Sequence, residues 1–182
     1  LRSLNIPFST AEGYLFPETY EFQTGSDPKA IVRRLIHQFH LVLEDIRRRY
    51  RTNLTETQIV ILASIVEKEA QTPEEFPIIA GVFLNRLKRH IPLQSCATVQ
   101  YILPEHKERL SIDDLKTPSP YNTYLHTGLP PGPICNPGRL ALKAVLFPAQ
   151  HDYLFFVSKG DGTHIFSKTS AEHESAMRQV RR

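Results

Sequence analysis

Fourteen prolines punctuate the 182 residues of this chain, and they cluster where helices begin and turns fall. Proline fixes φ and lacks a backbone N–H, so it is tolerated in the first turn of a helix and breaks the ladder further in. Asp27-Pro28 reads as an N-cap with proline at the first helical position. Ile31, Leu35, Ile36, Phe39, Leu43 and Ile46 then recur at helical spacing as far as about Arg49, with Arg33, Arg34, Arg47, Arg48 and Arg49 on the outer face. Thr55 with Gln58 is the capping box of a second helix whose stripe is Ile59, Leu62, Ala63, Val66 and Ala70. Thr72, Pro73 and Glu75 have the same form and predict a third helix carrying Ile78, Ile79, Val82, Phe83 and Leu87. Residues 91–136 read mostly as loop, with short helices near 97–103 and from Ser111. Asn136-Pro137 is expected to cap a further helix that ends before Pro148. Tyr153 to Val157 and Thr163 to Phe166 flank Lys159-Gly160-Asp161-Gly162 as a β-hairpin, and Thr169 with Glu172 caps a last helix.

The pattern is α+β and helix-dominated, with a small antiparallel hairpin and none of the regular alternation of a doubly wound sheet. One domain suits the length: residues 1–26 as an irregular or extended N-terminal segment, residues 27–182 as the remainder. The Pro/Gly-rich stretch 117–138 is long for a compact domain, and such loops often carry function. A composition 41% hydrophobic and 23% charged excludes a disordered chain. The longest apolar run, Ile59 to Ala63, is far short of the roughly 20 residues that span a bilayer. A net charge of +3 does not argue for nucleic acid, and the arginine run 47–51 has no interleaved aromatics to stack bases. Leu1 in place of Met, with no leader pattern after it, reads as a piece or a processed form of a longer protein. The eight histidines and two cysteines show no metal-ligand spacing, so no metal is expected.

Glu69 is the first candidate for chemistry. At 100° per residue it lies about 20° from Leu62, on the flank of a helix that is apolar nearly all round. Desolvation there favours the protonated carboxyl group, which is how a general acid is made at neutral pH. A boundary glutamate paired with a nearby arginine is the competing reading. Glu67 is on the opposite flank, so the two do not form a facing pair. The polar segment 93–101 contains Gln94, Ser95 and Thr98, and the segment 119–124 contains Tyr121, Asn122 and Tyr124. Amides and hydroxyls there suit hydrogen bonds to a sugar or peptide, and tyrosine rings suit stacking on sugar faces; capping and inward packing are the alternatives. Gly128-Leu129-Pro130-Pro131-Gly132-Pro133 is a stiff turn able to wall a cleft.

Taken together, several segments resemble one family, the endolytic murein transglycosylases (MltG-like or YceG-like). They are Glu12 to Tyr20, Ala63 to Glu69, Val82 to Leu87, Leu93-Gln94-Ser95, Thr98-Val99, Ser119 to Tyr124, Gly128 to Gly132, Asn136-Pro137-Gly138, Tyr153 to Val157 and His164-Ile165-Phe166. They stand in the family's order from residue 12 to about residue 173.

The resemblance implies an endolytic enzyme that cleaves the β-1,4 bond after N-acetylmuramic acid within glycan strands and leaves 1,6-anhydro ends. Glu69, the second Glu of Glu67-Lys68-Glu69, would be its catalytic residue. Gln94, Ser95, Thr98, Tyr121, Asn122 and Tyr124 are the candidates for holding the sugars. No cofactor or metal is expected. The expected partners are peptidoglycan strands and the synthases that elongate them, not nucleic acid. The family implies a location in the cell envelope, facing the periplasm or cell wall, with a membrane anchor that this chain lacks. A monomer is the default. The two cysteines by themselves leave one bridge and two free buried thiols equally open; some relatives have Asp-Pro where this chain has Cys96-Ala97, and a bridge between Cys96 and Cys135 is expected in an oxidising compartment. Two other readings stand beside this one. A lysozyme-like hydrolase would need a second carboxylate from Glu12, Glu18 or Glu67. A non-catalytic glycan-binding domain would need none.

Overall fold

A computed structural model describes residues 6–180; the expectations for residues 1–5 and 181–182 lie outside them. Asp27 caps α1, Pro28–Arg49, by accepting from the Lys29 N–H, with Pro28 in the first turn. Thr55 and Gln58 form both halves of the expected capping box at the head of α2, Glu56–Glu69. The chain turns extended at Ala70, and Pro73 then disfavours helix at Thr72. Every residue of α2 from Ile59 to Val66 is buried. A helix that is apolar nearly all round can only sit inside, and each of its buried Ile, Val and Leu side chains contributes about 1.5–3 kcal/mol.

The third helix starts later than its signals predict. Thr72 to Glu75 close a separate turn through the Glu75 N–H to Thr72 carbonyl bond, and α3 runs Phe76–Lys88 with Pro77 in its first turn. Glu75 does not reach back to Thr72; its carboxylate crosses to His164. α4, Cys96–Ile102, and a 3₁₀ turn at Asp114–Lys116 fall in the stretch read mostly as loop. Residues 117–138 contain neither helix nor strand, and α5 follows at Arg139–Leu146. Gly138, not Asn136, is the N-cap of α5. The Asn136 Oδ1 instead accepts from the backbone N–H groups of Gly13 and Leu15, at 2.8 and 3.1 Å, which fastens the N-terminal segment to the body.

α2, α3 and α5 pack against one another, and α1 closes over α5. β1, Phe155–Ser158, pairs antiparallel with β2, His164–Ser167, in the register Phe155 with Ser167 and Ser158 with His164. Phe156 sets its ring edge-on to Phe83 of α3, which joins the hairpin to the helical core. α6, Ser170–Val180, covers the hairpin, and Thr169 and Glu172 make the expected reciprocal cap at its head.

The irregular stretch 128–138 is fixed from beneath by α2. Ser64 Oγ accepts from the Ile134 N–H at 3.0 Å, and the Glu67 carboxylate accepts from the Gly138 N–H at 3.0 Å. These two side chains are three residues apart and so share a face of the helix. Glu69 is left on another flank.

Candidate active site

Glu69 is the last residue of α2, where the helix hands over to the open wall of a cleft of about 1080 Å³. Lys68, Cys96, Ala97, Gln100, Tyr101 and residues 103–110 line it together with Glu69. The expectation of a cleft walled by the Pro/Gly-rich stretch is met only through Ile134. Burial pushes the Glu69 carboxyl group above the usual carboxylate range. Three opposing influences are weaker: the Ser95 hydroxyl, the Ala97 backbone N–H and the nearby His164 ring. Ser95 Oγ donates to Glu69 Oε1. No arginine pairs with Glu69 among the described residues, so the boundary ion-pair reading fails.

The structure joins the two polar segments singled out in the sequence. The Gln94 N–H donates to the Thr123 carbonyl and the Ser95 N–H to Thr123 Oγ1, both at 3.0 Å. Ser95, 2% exposed, is thereby held against Glu69. Gln94 takes a left-handed backbone, φ 52°, and turns its side chain to Arg86, whose Nη2 donates to Gln94 Oε1 at 2.8 Å. Arg86 also donates to the Leu93 carbonyl at 2.6 Å and covers the Phe155 ring. The Tyr124 hydroxyl lies beside Cys96, 3.0 Å from its Sγ. Tyr121 backs Tyr101, their ring centroids 5.1 Å apart.

Two candidates stand apart from any ligand. Thr98 and Asn122 are both fully buried. Thr98 Oγ1 donates to the Ser95 carbonyl and bonds Thr123 Oγ1, while the Asn122 amide donates to the Leu115 and Thr117 carbonyls and accepts from the Tyr124 N–H. Their polar atoms are used up in holding the two segments together. The expected Cys96–Cys135 bridge is not formed: both thiols are free. Cys135 donates to the Ser64 carbonyl at 3.2 Å, beneath the irregular stretch, while Cys96 faces Tyr124. Burial pushes both thiols up, Cys135 to about 11, so neither is activated.

The other carboxylates divide clearly. Glu67 holds Gly138 and Glu18 accepts from the Gln38 amide at 2.8 Å. Glu12 accepts from the Tyr101 hydroxyl at 2.6 Å. His164, whose side chain is 6% exposed, is gripped by Glu75 through both its backbone N–H and Nδ1, at 2.9 and 2.6 Å. Neither Tyr101 nor the His164–Glu75 pair was singled out as a site by sequence reasoning. Tyr101 sits at the far end of the polar segment 93–101, which was the available signal. The pairing of residues 75 and 164 had none. Among the described residues no group of three metal-ligating side chains comes together.

An arrangement of one raised carboxyl group, a hydroxyl and a backbone N–H beside it, and an open cleft can protonate a leaving oxygen on a bound chain. Comparison with known proteins points the same way. The chain is 41% identical over 170 residues to a Bacillus subtilis (strain 168) protein named endolytic murein transglycosylase, covering 91% of this chain and 46% of that one. It is 31% identical over 185 residues to a Streptococcus pneumoniae (strain D39) protein of the same name, covering 96% of this chain and 34% of that one. The crystal structure of a YceG-like protein from Listeria monocytogenes superposes with a TM-score of 0.81 at 37% identity, over 91% of this chain and 54% of that one. The chain thus spans about a third to a half of the length of these relatives. The profile of the YceG-like family matches residues 2–179, nearly the whole sequence, and the chain belongs to that family.

Proposed function

We propose that this domain is an endolytic peptidoglycan lytic transglycosylase that uses Glu69 as its single general acid and base. The observation that carries the reading is Glu69 itself, a carboxyl group raised by burial, held by Ser95, and open to an extended cleft. Relatives named endolytic murein transglycosylase support the substrate class. Protonated Glu69 gives its proton to the glycosidic oxygen as the bond from C1 of N-acetylmuramic acid breaks. The Glu69 carboxylate then takes the proton of the C6 hydroxyl of the same sugar, and O6 closes on C1. The products are a 1,6-anhydro end and a free 4-hydroxyl on N-acetylglucosamine, and Glu69 is returned to its acid form. No water enters. The attack is intramolecular, so it gains a high effective concentration without a second enzymic carboxylate.

Glu67 is bound to Gly138, Glu18 to Gln38 and Glu12 to the Tyr101 hydroxyl, so each of the three available carboxylates already has a partner within the chain, which favours this route over a lysozyme-like hydrolysis that needs a second carboxylate across the bond. In this reading Ser95 orients Glu69, Gln94, Tyr121 and Tyr124 are assigned to the sugar path, and Thr98 and Asn122 to its scaffold. In this reading the domain acts as a monomer. The reading puts the domain at the cell wall, outside the cytoplasmic membrane, shortening strands made by peptidoglycan synthases and so ending their elongation. No helix among the described residues is long and apolar enough to cross a membrane.

Mass spectrometry of products from uncrosslinked glycan strands tests the proposal. Anhydro ends, one water lighter than reducing ends, are expected from this chain and not from Glu69→Gln. Reducing ends that carry the added water would overturn the lyase reading, and products persisting in Glu69→Gln would overturn the choice of residue.

A further inference from the structure

Tyr101, in the last turn of α4, is 38% exposed on the wall of the Glu69 cleft. Its ring is held from behind by separate parts of the chain. The hydroxyl donates to Glu12 Oε2 at 2.6 Å, and the ring leans on Tyr121 at 41°. Glu12 precedes Gly13, which is itself tied to Asn136. The Tyr121 hydroxyl stands over Gly132, where a Cβ would come within 2.6 Å of it. An exposed tyrosine so constrained loses little rotamer freedom when something packs on it, which is the condition for a stacking platform.

The position along the cleft sets what could pack there. The Ala97 N–H lies beside the Glu69 carboxyl group. Tyr101 follows Ala97 by four residues on α4, so about 6 Å of helical rise, comparable to one pyranose of a glycan strand, separates its backbone from the N–H beside Glu69. The Glu12 carboxylate at the rim of the ring repels a lactyl or peptide carboxylate.

We infer that Tyr101 is the stacking platform of a sugar subsite about one residue from the cleaved bond, and that it takes the uncharged N-acetylglucosamine, not muramic acid. The placement relative to the bond rests on the function proposed above; the platform itself does not.

The test is a binding titration, by calorimetry or by NMR shifts, of chitotetraose, an oligomer of N-acetylglucosamine alone, against this chain carrying Glu69→Gln. Binding is expected, weakened about tenfold by Tyr101→Ala in the same background and less than about threefold by Tyr101→Phe, which keeps the ring and fold. Equal binding by the Tyr101→Ala protein would overturn the platform. Failure to bind chitotetraose while strands containing muramic acid do bind would overturn the sugar assignment. Tyr101-dependent binding in a chain that releases no anhydro ends would sink the proposed reaction and leave the platform standing.

Discussion

Replacing Asn136 with alanine should unfasten the N-terminal segment from the body of the domain. The Asn136 Oδ1 is the shared acceptor for two backbone donors more than 120 residues away, Gly13 N–H at 2.8 Å and Leu15 N–H at 3.1 Å. Gly13 is buried, so its N–H would have no water to turn to and would bear the desolvation penalty of about 1–3 kcal/mol. Leu15 is half-buried and would recover part of its bond from solvent, leaving a loss of about 0.5–1.5 kcal/mol. The sum is roughly 1.5–4.5 kcal/mol, a fall in melting temperature of roughly 3–18 °C for a domain of this size. Thermal and urea unfolding followed by circular dichroism would measure it. Asn136→Asp keeps an acceptor oxygen and should recover most of the loss, which separates the two hydrogen bonds from mere side-chain packing. A loss under about 0.5 kcal/mol in Asn136→Ala, or an aspartate variant as unstable as the alanine one, would refute the reasoning. Glu12 is next to Gly13, so the alanine variant should also loosen the Tyr101 ring.

Three other outcomes follow from single contacts. Gly13→Ala should cost about 2–5 kcal/mol in urea unfolding, since φ is +87° and a Cβ would meet Pro133 Cγ at 2.5 Å and Val60 Cγ1 at 2.7 Å; a neutral substitution would show that this turn yields. Ser95→Ala removes a donor that favours the Glu69 carboxylate, so the group should hold its proton to higher pH and the alkaline limb of the kcat/KM profile should move up; movement downward would contradict the donor role. Asp114 is held at about 2 by the Lys107 ammonium and by Ser111, against about 3.9 in an unfolded chain, so its stabilisation is present above about pH 4 and lost as pH falls toward 2. Asp114→Asn should therefore be the less stable protein at pH 6, with the gap in urea midpoint closing by pH 2; a gap of equal size at both pH values would rule that account out.

Local signals were legible wherever a residue's partner lies within one helical turn. Asp27, the Thr55–Gln58 pair and the Thr169–Glu172 pair each act where the sequence puts them, because a cap needs only neighbours. The same grammar misled at Thr72 and Asn136. Glu75 has the spacing to close a capping box, yet a buried imidazole from residue 164 offers its carboxylate a stronger, charge-assisted partner than Thr72 could. Asn136 has the spacing to cap α5, yet two backbone donors of the N-terminal segment take its oxygen. In both cases a long-range contact outbid a local one, and nothing in the local pattern encodes it.

The site divides along the same line. Helical phase put Glu69 on the flank of a buried helix, and that much is periodic geometry. Whether the carboxyl group would meet an arginine or a hydroxyl depended on which loop crosses the end of α2, and the loop that does so brings Ser95. The segment 119–124 drew notice for its tyrosines and amide, but its deeper contribution is Thr123, which binds the Gln94–Ser95 backbone and so fixes the hydroxyl on Glu69. Asn122 and Thr98 look like ligands in a sequence because buried scaffold and sugar-binding surface draw on the same polar residues. What separates them is burial: a fully enclosed amide with every bond made has nothing left for a substrate, whereas Tyr101, with its hydroxyl tied and its ring exposed, has a surface and no partner for it.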